Sequence, residues 1–362
     1  MNDKYPGYYL HQIGPYIGKI RPSLARNLVL AYSEEGDWVW DPFCGSGTVA
    51  LECRLLSRNV LASDTNPYAC TLTRAKLHAP TSIQQGLRSL ESLLPHFNMV
   101  DKKDRSIAPK WVKSFFNPQT LQESIILMEL FKKHRMYFLA GCLLHILHHQ
   151  RPGFLSYPAS HLVPYLRDRA FPREEFPEMY YYRDPIPRLQ AKIKRVLNNP
   201  PPQSNVSFKV IEQSVLKSDP PKRIIDAVIT SPPYLNNLDY ARDNRLRLWF
   251  LGISDHKTIK VNEIGRFSSF KDDILNSLNT IAQSLKIGGY CVLVLGDVRE
   301  KNKVHDLPKI IINLVQEKIE SLVIKEAWKD KIPSHKRARR NGRATRTETI
   351  VVFQRRKGIF DG

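Results

Sequence analysis

The stretch WVWDPFCGSGTVALECRLLSRNVLASD (38–64) decides the fold. WVWDPF (38–43) is a short apolar run of the kind that forms a buried strand, and CGSGT (44–48) breaks it with two glycines. VALECRLL (49–56) then has helical spacing, and NVLASD (59–64) reads as a second strand. Strand, glycine turn, helix and strand in that order open a doubly wound, Rossmann-like α/β sheet. Just upstream, Arg21 to Tyr32 has the periodicity of a helix.

The same rhythm returns far downstream. SFKVI (207–211), AVITS (227–231), YCVLVLG (290–296), LVIKEAW (322–328) and TIVVFQR (349–355) all read as strands. DDILNSLNTIAQSL (272–285) is amphipathic, and Gly288-Gly289 is expected to end that helix. Between the two α/β parts the chain changes character. Helices are expected over Pro118 to Arg135, Tyr137 to His149 and Leu189 to Leu197, with a long stretch rich in Pro, Tyr and Arg (151–188) and the linker NNPPPQS (198–204). The predicted architecture is one catalytic domain, 1–80 with 205–362, interrupted by a mainly helical and loop insertion over 81–204. That insertion falls between the second and third core strands and is the candidate target-recognition domain.

Glycines 45 and 47 let the backbone approach a ligand closely and present amide N–H groups at a helix N-terminus. A dinucleotide fingerprint would need a third glycine where Ala50 stands, and a Walker loop would need Gly-Lys-Ser/Thr, which is absent. The longer string, Asp41-Pro42-Phe43-Cys44-Gly45-Ser46-Gly47-Thr48, resembles the first motif of S-adenosylmethionine-dependent amino-methyltransferases. The resemblance implies that Asp41 holds the cofactor's amino group, that Phe43 packs against it, and that the turn through Cys44, Gly45, Ser46, Gly47 and Thr48 cradles the methionine part. Asp64 ends the second strand, where one carboxylate can accept both ribose hydroxyls; it can equally cap the following helix. Asn66 and Thr230 join the cofactor set. GPYIGKIRPSLARNLV (14–29) is similar to the family's tenth motif, with Tyr16 and Lys19 at the methionine end.

VITSPPY (228–234) ends an apolar strand with Ser231-Pro232-Pro233-Tyr234. Two prolines fix successive φ angles and remove two donors, leaving a stiff loop whose carbonyls point outward. An exocyclic base amine shares its lone pair with the ring and is a poor nucleophile. Hydrogen bonds accepted from it by the Ser231 hydroxyl and the Pro232 carbonyl would make its nitrogen reactive, while Tyr234 stacks on a flipped base. The loop looks like the Ser-Pro-Pro-Tyr branch of the amino-methyltransferases, usually cytosine-N4 DNA enzymes. The Asp/Asn-Pro-Pro-Tyr branch usually modifies adenine N6, or guanine N2 in RNA. The acid that the family often carries after the third strand is replaced here near Glu212-Gln213-Ser214.

Charge points to the same partner. Lys and Arg number 55 against 35 Asp and Glu, a formal net charge of +20, the field of a nucleic-acid binder. WKDKIPSHKRARRNGRATRTE (328–348) concentrates it: Lys329, Lys331, Lys336, Arg337, Arg339, Arg340, Arg343 and Arg346 oppose two acids. A solvated charge run is the plain alternative to phosphate contact. In the insertion, Tyr157, Tyr165, Arg167, Arg169, Arg173, Tyr180 to Arg183 and Arg188 interleave stacking faces with guanidinium groups suited to base edges.

Other chemistries lack their residues. No Pro-Cys dipeptide serves a cytosine-C5 nucleophile, and no Pro-Cys-x-x-Cys serves a zinc deaminase. His145, His148 and His149 have metal-like spacing without the glutamate of H-E-x-x-H, and are expected on a helix surface or near DNA; no metal is expected. The five cysteines are scattered, so a reducing bacterial or archaeal cytosol is expected, with no signal peptide and no run of roughly 18–20 apolar residues for a membrane span. The expected activity is methyl transfer from S-adenosylmethionine to N4 of a flipped cytosine in double-stranded DNA, alongside a restriction endonuclease. Adenine N6, an RNA base amine, or an idle nucleic-acid-binding scaffold are the alternatives.

Overall fold

Trp38–Asp41 forms the first strand, β1, and Pro42 stops it two residues short of the expected end because proline cannot donate to a ladder. A computed structural model of the chain describes residues 7–100, 108–160, 163–217, 222–233, 239–259, 269–296, 298–300, 303–331 and 347–357. After helix α1 (Pro22–Tyr32) come β1, α2 (Thr48–Leu55), β2 (Asn59–Asp64) and α3 (Pro67–Leu77). Helices α4 (Ile83–Glu91), α5 (Leu94–Met99), α6 (Lys110–Lys113), α7 (Pro118–Lys133), α8 (Tyr137–Ile146) and α9 (Pro185–Val196) follow, with no long strand between them among the described residues. β3 (Phe208–Glu212) and β4 (Ile225–Thr230) resume the sheet, then α10 (Tyr240–Asp243), α11 (Arg245–Phe250) and α12 (Phe270–Ser284). The chain finishes with β5 (Leu285–Gly296), a small hairpin of β6 (Val298–Glu300) and β7 (Lys303–His305), α13 (Leu307–Lys318), β8 (Leu322–Lys331) and β9 (Thr347–Arg355).

The described residues divide into two units. The sheet unit lies within Ile17–Cys70, Ser204–Asp239 and Lys260–Gly362, and the helical unit within Met1–Tyr16, Thr71–Gln203 and Tyr240–Ile259.

In the sheet unit seven strands run in the order β3-β2-β1-β4-β5-β9-β8. β1 to β5 are parallel, and β9 is antiparallel to both β5 and β8. The succession of strands reverses between β1 and β4, the switch point outside which open α/β sheets bind their ligands. The central strands carry near-continuous apolar runs because both faces are covered. On one face α12 and α13 bury Ile274, Leu278, Ile281, Ile311 and Val315 against Trp40, Val228, Leu293 and Phe353. α1 and α2 pack on each other, tied by Arg26 Nη1 to the buried Glu52 carboxylate at 3.5 Å.

Gly288 and Gly289 do not end the helix, contrary to the sequence expectation. α12 stops at Ser284 and the glycines lie inside β5, where Ile225 pairs with Leu285 but Ala227 pairs with Tyr290. The extra residues make a bulge, which Gly288 accommodates at φ +87°. A Cβ on Gly289 would meet the Asp226 carbonyl at 2.8 Å, so only glycine fits that close approach.

In the helical unit α8 is apolar all round and deeply buried. That placement corrects the reading of the histidine cluster as helix surface: His145 and His148 are buried, and the helix ends at Ile146, before His148 and His149. His148 Nδ1 lies 2.8 Å from the Ser160 carbonyl. Among the described residues no group of three or more His, Cys, Asp or Glu could hold a metal ion. The aromatic and basic stretch is partly spent on its own folding, a second correction. Arg183 is buried and donates to the carbonyls of Phe154, Ser156 and Met179, and Tyr157 is buried beneath Arg173, whose guanidinium lies 5.0 Å from one ring and 4.6 Å from that of Tyr180. Tyr165, Tyr181 and Tyr182 stay exposed. All five cysteines are free and buried, and no described helix is long and apolar enough to cross a membrane.

Candidate functional site

Asp41 and Thr230 end the two strands that flank the switch point. Val39 and Trp40 pair with Ala227 and Val228, which brings both strand ends to the same level. There the Thr230 hydroxyl donates to Asp41 Oδ1 at 2.6 Å, joining residues 189 positions apart. The Phe43 amide donates to the same oxygen at 3.3 Å. Asp41 is buried, and its desolvation pushes the carboxyl up to about 7 against the opposing pull of these two hydrogen bonds.

The turn after β1 is laced to β2. Trp40 Nε1 donates to Ser63 Oγ at 3.2 Å and Cys44 N to the Ser63 carbonyl at 2.9 Å. Gly45 N donates to Asp64 Oδ2 at 2.9 Å, and Asn66 N to Asp64 Oδ1 at 2.9 Å. Gly45 and Gly47 take φ of +48° and +70°, a conformation that favours glycine; the Gly47 amide donates to the Cys44 carbonyl at 2.7 Å, and α2 begins at Thr48. Ser46 and Thr48 are buried with hydroxyls 3.4 Å apart. Phe43 packs on the core under the turn.

Asp64 Oδ2 accepts from the Gly45 amide and Oδ1 from the Asn66 amide, and the Thr65 amide adds a third backbone bond to the carboxylate. Desolvation raises its carboxyl to about 6, with the nearby Glu212 adding to the rise. Asn66 is buried, caps the start of α3 through Tyr68 N at 3.0 Å, and its Nδ2 finds no acceptor among the described residues. Two acids held partly neutral by burial, beside an orphaned buried donor, fit a ligand that brings cationic groups and hydroxyls. S-adenosylmethionine carries an ammonium, a sulfonium and a ribose diol, so these residues fit it.

The transfer-loop candidates divide. Ser231, Pro232 and Pro233 leave β4 directly after Thr230, with Pro232 buried, whereas Tyr234 lies outside the described residues. Lys19 belongs to the sheet unit, where burial lowers its ammonium pKa; Tyr16 belongs to the helical unit and stacks on Tyr240, ring centroids 5.4 Å apart. The basic candidates Lys336, Arg337, Arg339, Arg340, Arg343 and Arg346 lie outside the described residues, in the connection between β8 and β9. Glu212, set aside at the sequence level, ends β3 in register with Asp64. Its signal was an acid at a strand end, masked by the expectation that the acid follows the strand.

Residues 13–75 match the DNA methylase family. The chain is 38% identical over 69 residues to the type II methyltransferase M.XycI of Xanthomonas campestris pv. cyanopsidis, covering 19% of this chain and 23% of that protein. It is 23% identical over 270 residues to the type II methyltransferase M.BsoBI of Geobacillus stearothermophilus, covering 65% and 51%. The chain thus spans about half the length of the second relative and about a quarter of the first. Among solved structures, the rRNA methyltransferase aviRa from Streptomyces viridochromogenes aligns with 96% of this chain and 90% of its own at a TM-score of 0.34 and 13% identity. The matched segment, 13–75, contains the whole glycine turn with Asp41, Asp64 and Asn66, so the likeness to the DNA methylase family falls on the candidate S-adenosylmethionine turn.

Proposed function

We propose that the protein methylates the exocyclic N4 of a flipped cytosine in double-stranded DNA, as the modification arm of a restriction system. The observation that carries this reading is the 2.6 Å bond from Thr230 to Asp41, because it joins the cofactor turn to the strand that delivers Ser231-Pro232-Pro233. Bound S-adenosylmethionine supplies a methyl group already activated on a sulfonium. The residues of the chain then have only to bind, orient and keep the site dry. Asp41 takes the amino group of the donor and Asp64 its ribose hydroxyls. Ser231 and the Pro232 carbonyl accept the amine's hydrogens, so the lone pair turns from the ring toward the methyl group. The attacking nitrogen would then face the methyl group, and the amine's displaced proton would pass to solvent.

Cytosine over adenine rests on Ser231. DNA over RNA is supported by the matched family and by the cationic stretch 328–348. The restriction context is supported by the name type II methyltransferase that the relatives carry. The test is transfer of tritiated methyl to genomic DNA and to total RNA, followed by nucleoside mass spectrometry. N4-methylcytosine in DNA is the expected product. N6-methyladenine alone, or label in RNA alone, would overturn the substrate.

A further inference from the structure

Three separate stretches of the helical unit converge on one guanidinium. Arg245, which opens α11, lies over the Trp111 ring of α6 at 5.2 Å from the centroid, and its Nη2 donates to the Pro164 carbonyl at 2.9 Å. Both supports are themselves held. Arg247, fully buried two residues on, pins α11 to α8 by donating from Nε to the Leu144 carbonyl at 3.2 Å. Residues 158–160 and 165–167 pair antiparallel, with Ser160 N donating to the Tyr165 carbonyl and Arg167 N to the Pro158 carbonyl, both at 2.9 Å. Tyr157 N donates to the Phe115 carbonyl at 2.7 Å, which ties this pair to the chain leaving α6.

What this framework holds in place is an exposed ring. Tyr165, next to the clamped Pro164 carbonyl, is 54% exposed, and Lys110 and Lys113 stand exposed on either side of Trp111 in the sequence of α6. Trp, Tyr and Arg are the side chains that carry most of the energy at contact surfaces. Protein interfaces, however, are depleted in lysine, whereas phosphate contacts are made by it. The chain's surplus of 20 positive charges draws the same polyanion. Arg183 is spent on carbonyls inside the unit, so it does not compete for this role.

We propose that Lys110, Trp111, Lys113, Tyr165 and Arg245 form a DNA-contacting face of the helical unit, with the lysines on phosphates and the Tyr165 ring against base edges. This rests on the reading of DNA as the substrate. Arg245 acts by position: its planar group stacks on Trp111 and fixes the carbonyl beside Tyr165, which a lysine at the same place could not do. The two kinds of contact have separate signatures. Phosphate contacts set the salt dependence of binding, and a ring in a groove touches the base edge where thymine carries its methyl group.

The full-length protein is bound to sheared genomic DNA in which 5-bromodeoxyuridine replaces thymidine, and in parallel to RNA carrying 5-bromouridine. Irradiation and mass spectrometry of the peptides should place cross-links to DNA on Trp111 or Tyr165. Fluorescence anisotropy then measures variants whose melting temperatures match the unsubstituted protein. Tyr165→Ala should weaken DNA binding about tenfold, and Tyr165→Phe, which keeps the ring, should hold it within about twofold. Arg245→Lys, which keeps the charge and loses the stack, should match the loss in Tyr165→Ala. Lys110→Ala with Lys113→Ala should flatten the slope of log affinity against log salt by roughly 2. Unchanged affinity and slope in these variants overturn the face, and so do cross-links confined to other peptides or to RNA. Cross-links at Tyr165 without N4-methylcytosine as the product overturn the functional reading and leave the face standing. Binding of neither nucleic acid overturns both.

Discussion

Asp41 and Asp64 sit where ionisation is costly, and that cost has a sign. Asp41 titrates near 7 in the fold because it is buried, whereas an unfolded aspartate titrates at about 3.9. A carboxyl raised in this way stabilises the fold fully below the unfolded value and loses that contribution as pH climbs through the folded one. Asp41→Asn keeps the oxygen that accepts from Thr230 and Phe43, so it should raise the Tm of the ligand-free protein above pH 7 and leave it unchanged below pH 4, where both forms are neutral. Differential scanning calorimetry across that range checks it. Cofactor binding should show the opposite trend, because the ligand's ammonium needs the ionised acid. Affinity should rise with pH between about 6 and 7 and then level off, with protons released in calorimetry run in buffers of different ionisation enthalpy; a flat profile would remove Asp41 and Asp64 from the ligand shell. Ser231→Ala, which removes one acceptor from the amine, should lower the single-turnover rate by about 10²-fold and leave cofactor affinity nearly unchanged. These residues were legible as motif. Their titration was not, since desolvation depends on neighbours distant in sequence.

At the scale of elements, β1 and β2 were legible almost to the residue, because apolar runs bounded by proline and glycine mark strand ends locally. The start of β5 was misread for a physical reason. Two glycines after an amphipathic stretch resemble a helix C-terminus, and only pairing with β4 turns them into a bulge. Gly289→Ala should then cost about 1–3 kcal/mol in denaturant unfolding, since the colliding atom is the Asp226 backbone carbonyl and cannot rotate away. Trp40→Ala should cost about 3–5 kcal/mol, losing the centre of the core and the bond to Ser63 that ties the cofactor turn to β2. A Gly289 variant as stable as the unsubstituted protein would show that β5 can be straightened. α8 was legible as a helix but not as a buried one, because its histidines suggested a polar face.

At the scale of the molecule, the surplus of 20 positive charges has a local consequence. The two acids within 328–348 are Asp330 and Glu348, which pair across β8 and β9 and both contact Arg21. They are therefore committed to the sheet, and the phosphate contact proposed for the cations between them makes a prediction. Reversing Lys336, Arg337 and Arg339 to Glu should weaken DNA binding alike for all sequences. It should also flatten the slope of log affinity against log salt by roughly 3, if each cation meets one phosphate. Fluorescence anisotropy over a salt series measures it, and an unchanged slope would make the stretch a solvated surface. By itself the sequence determined the strand–turn–helix opening, the glycines that let the turn fold inward, the strand that ends in Ser-Pro-Pro, and the sign of the charge, all of which follow from local stereochemistry and composition. The tertiary structure alone decided that Thr230 meets Asp41, that Glu212 stands level with Asp64, and that Arg183 and Arg247 are spent inside the helical unit. Those contacts join residues far apart in the chain, and their energies come from strand register and burial, which no single stretch of sequence contains.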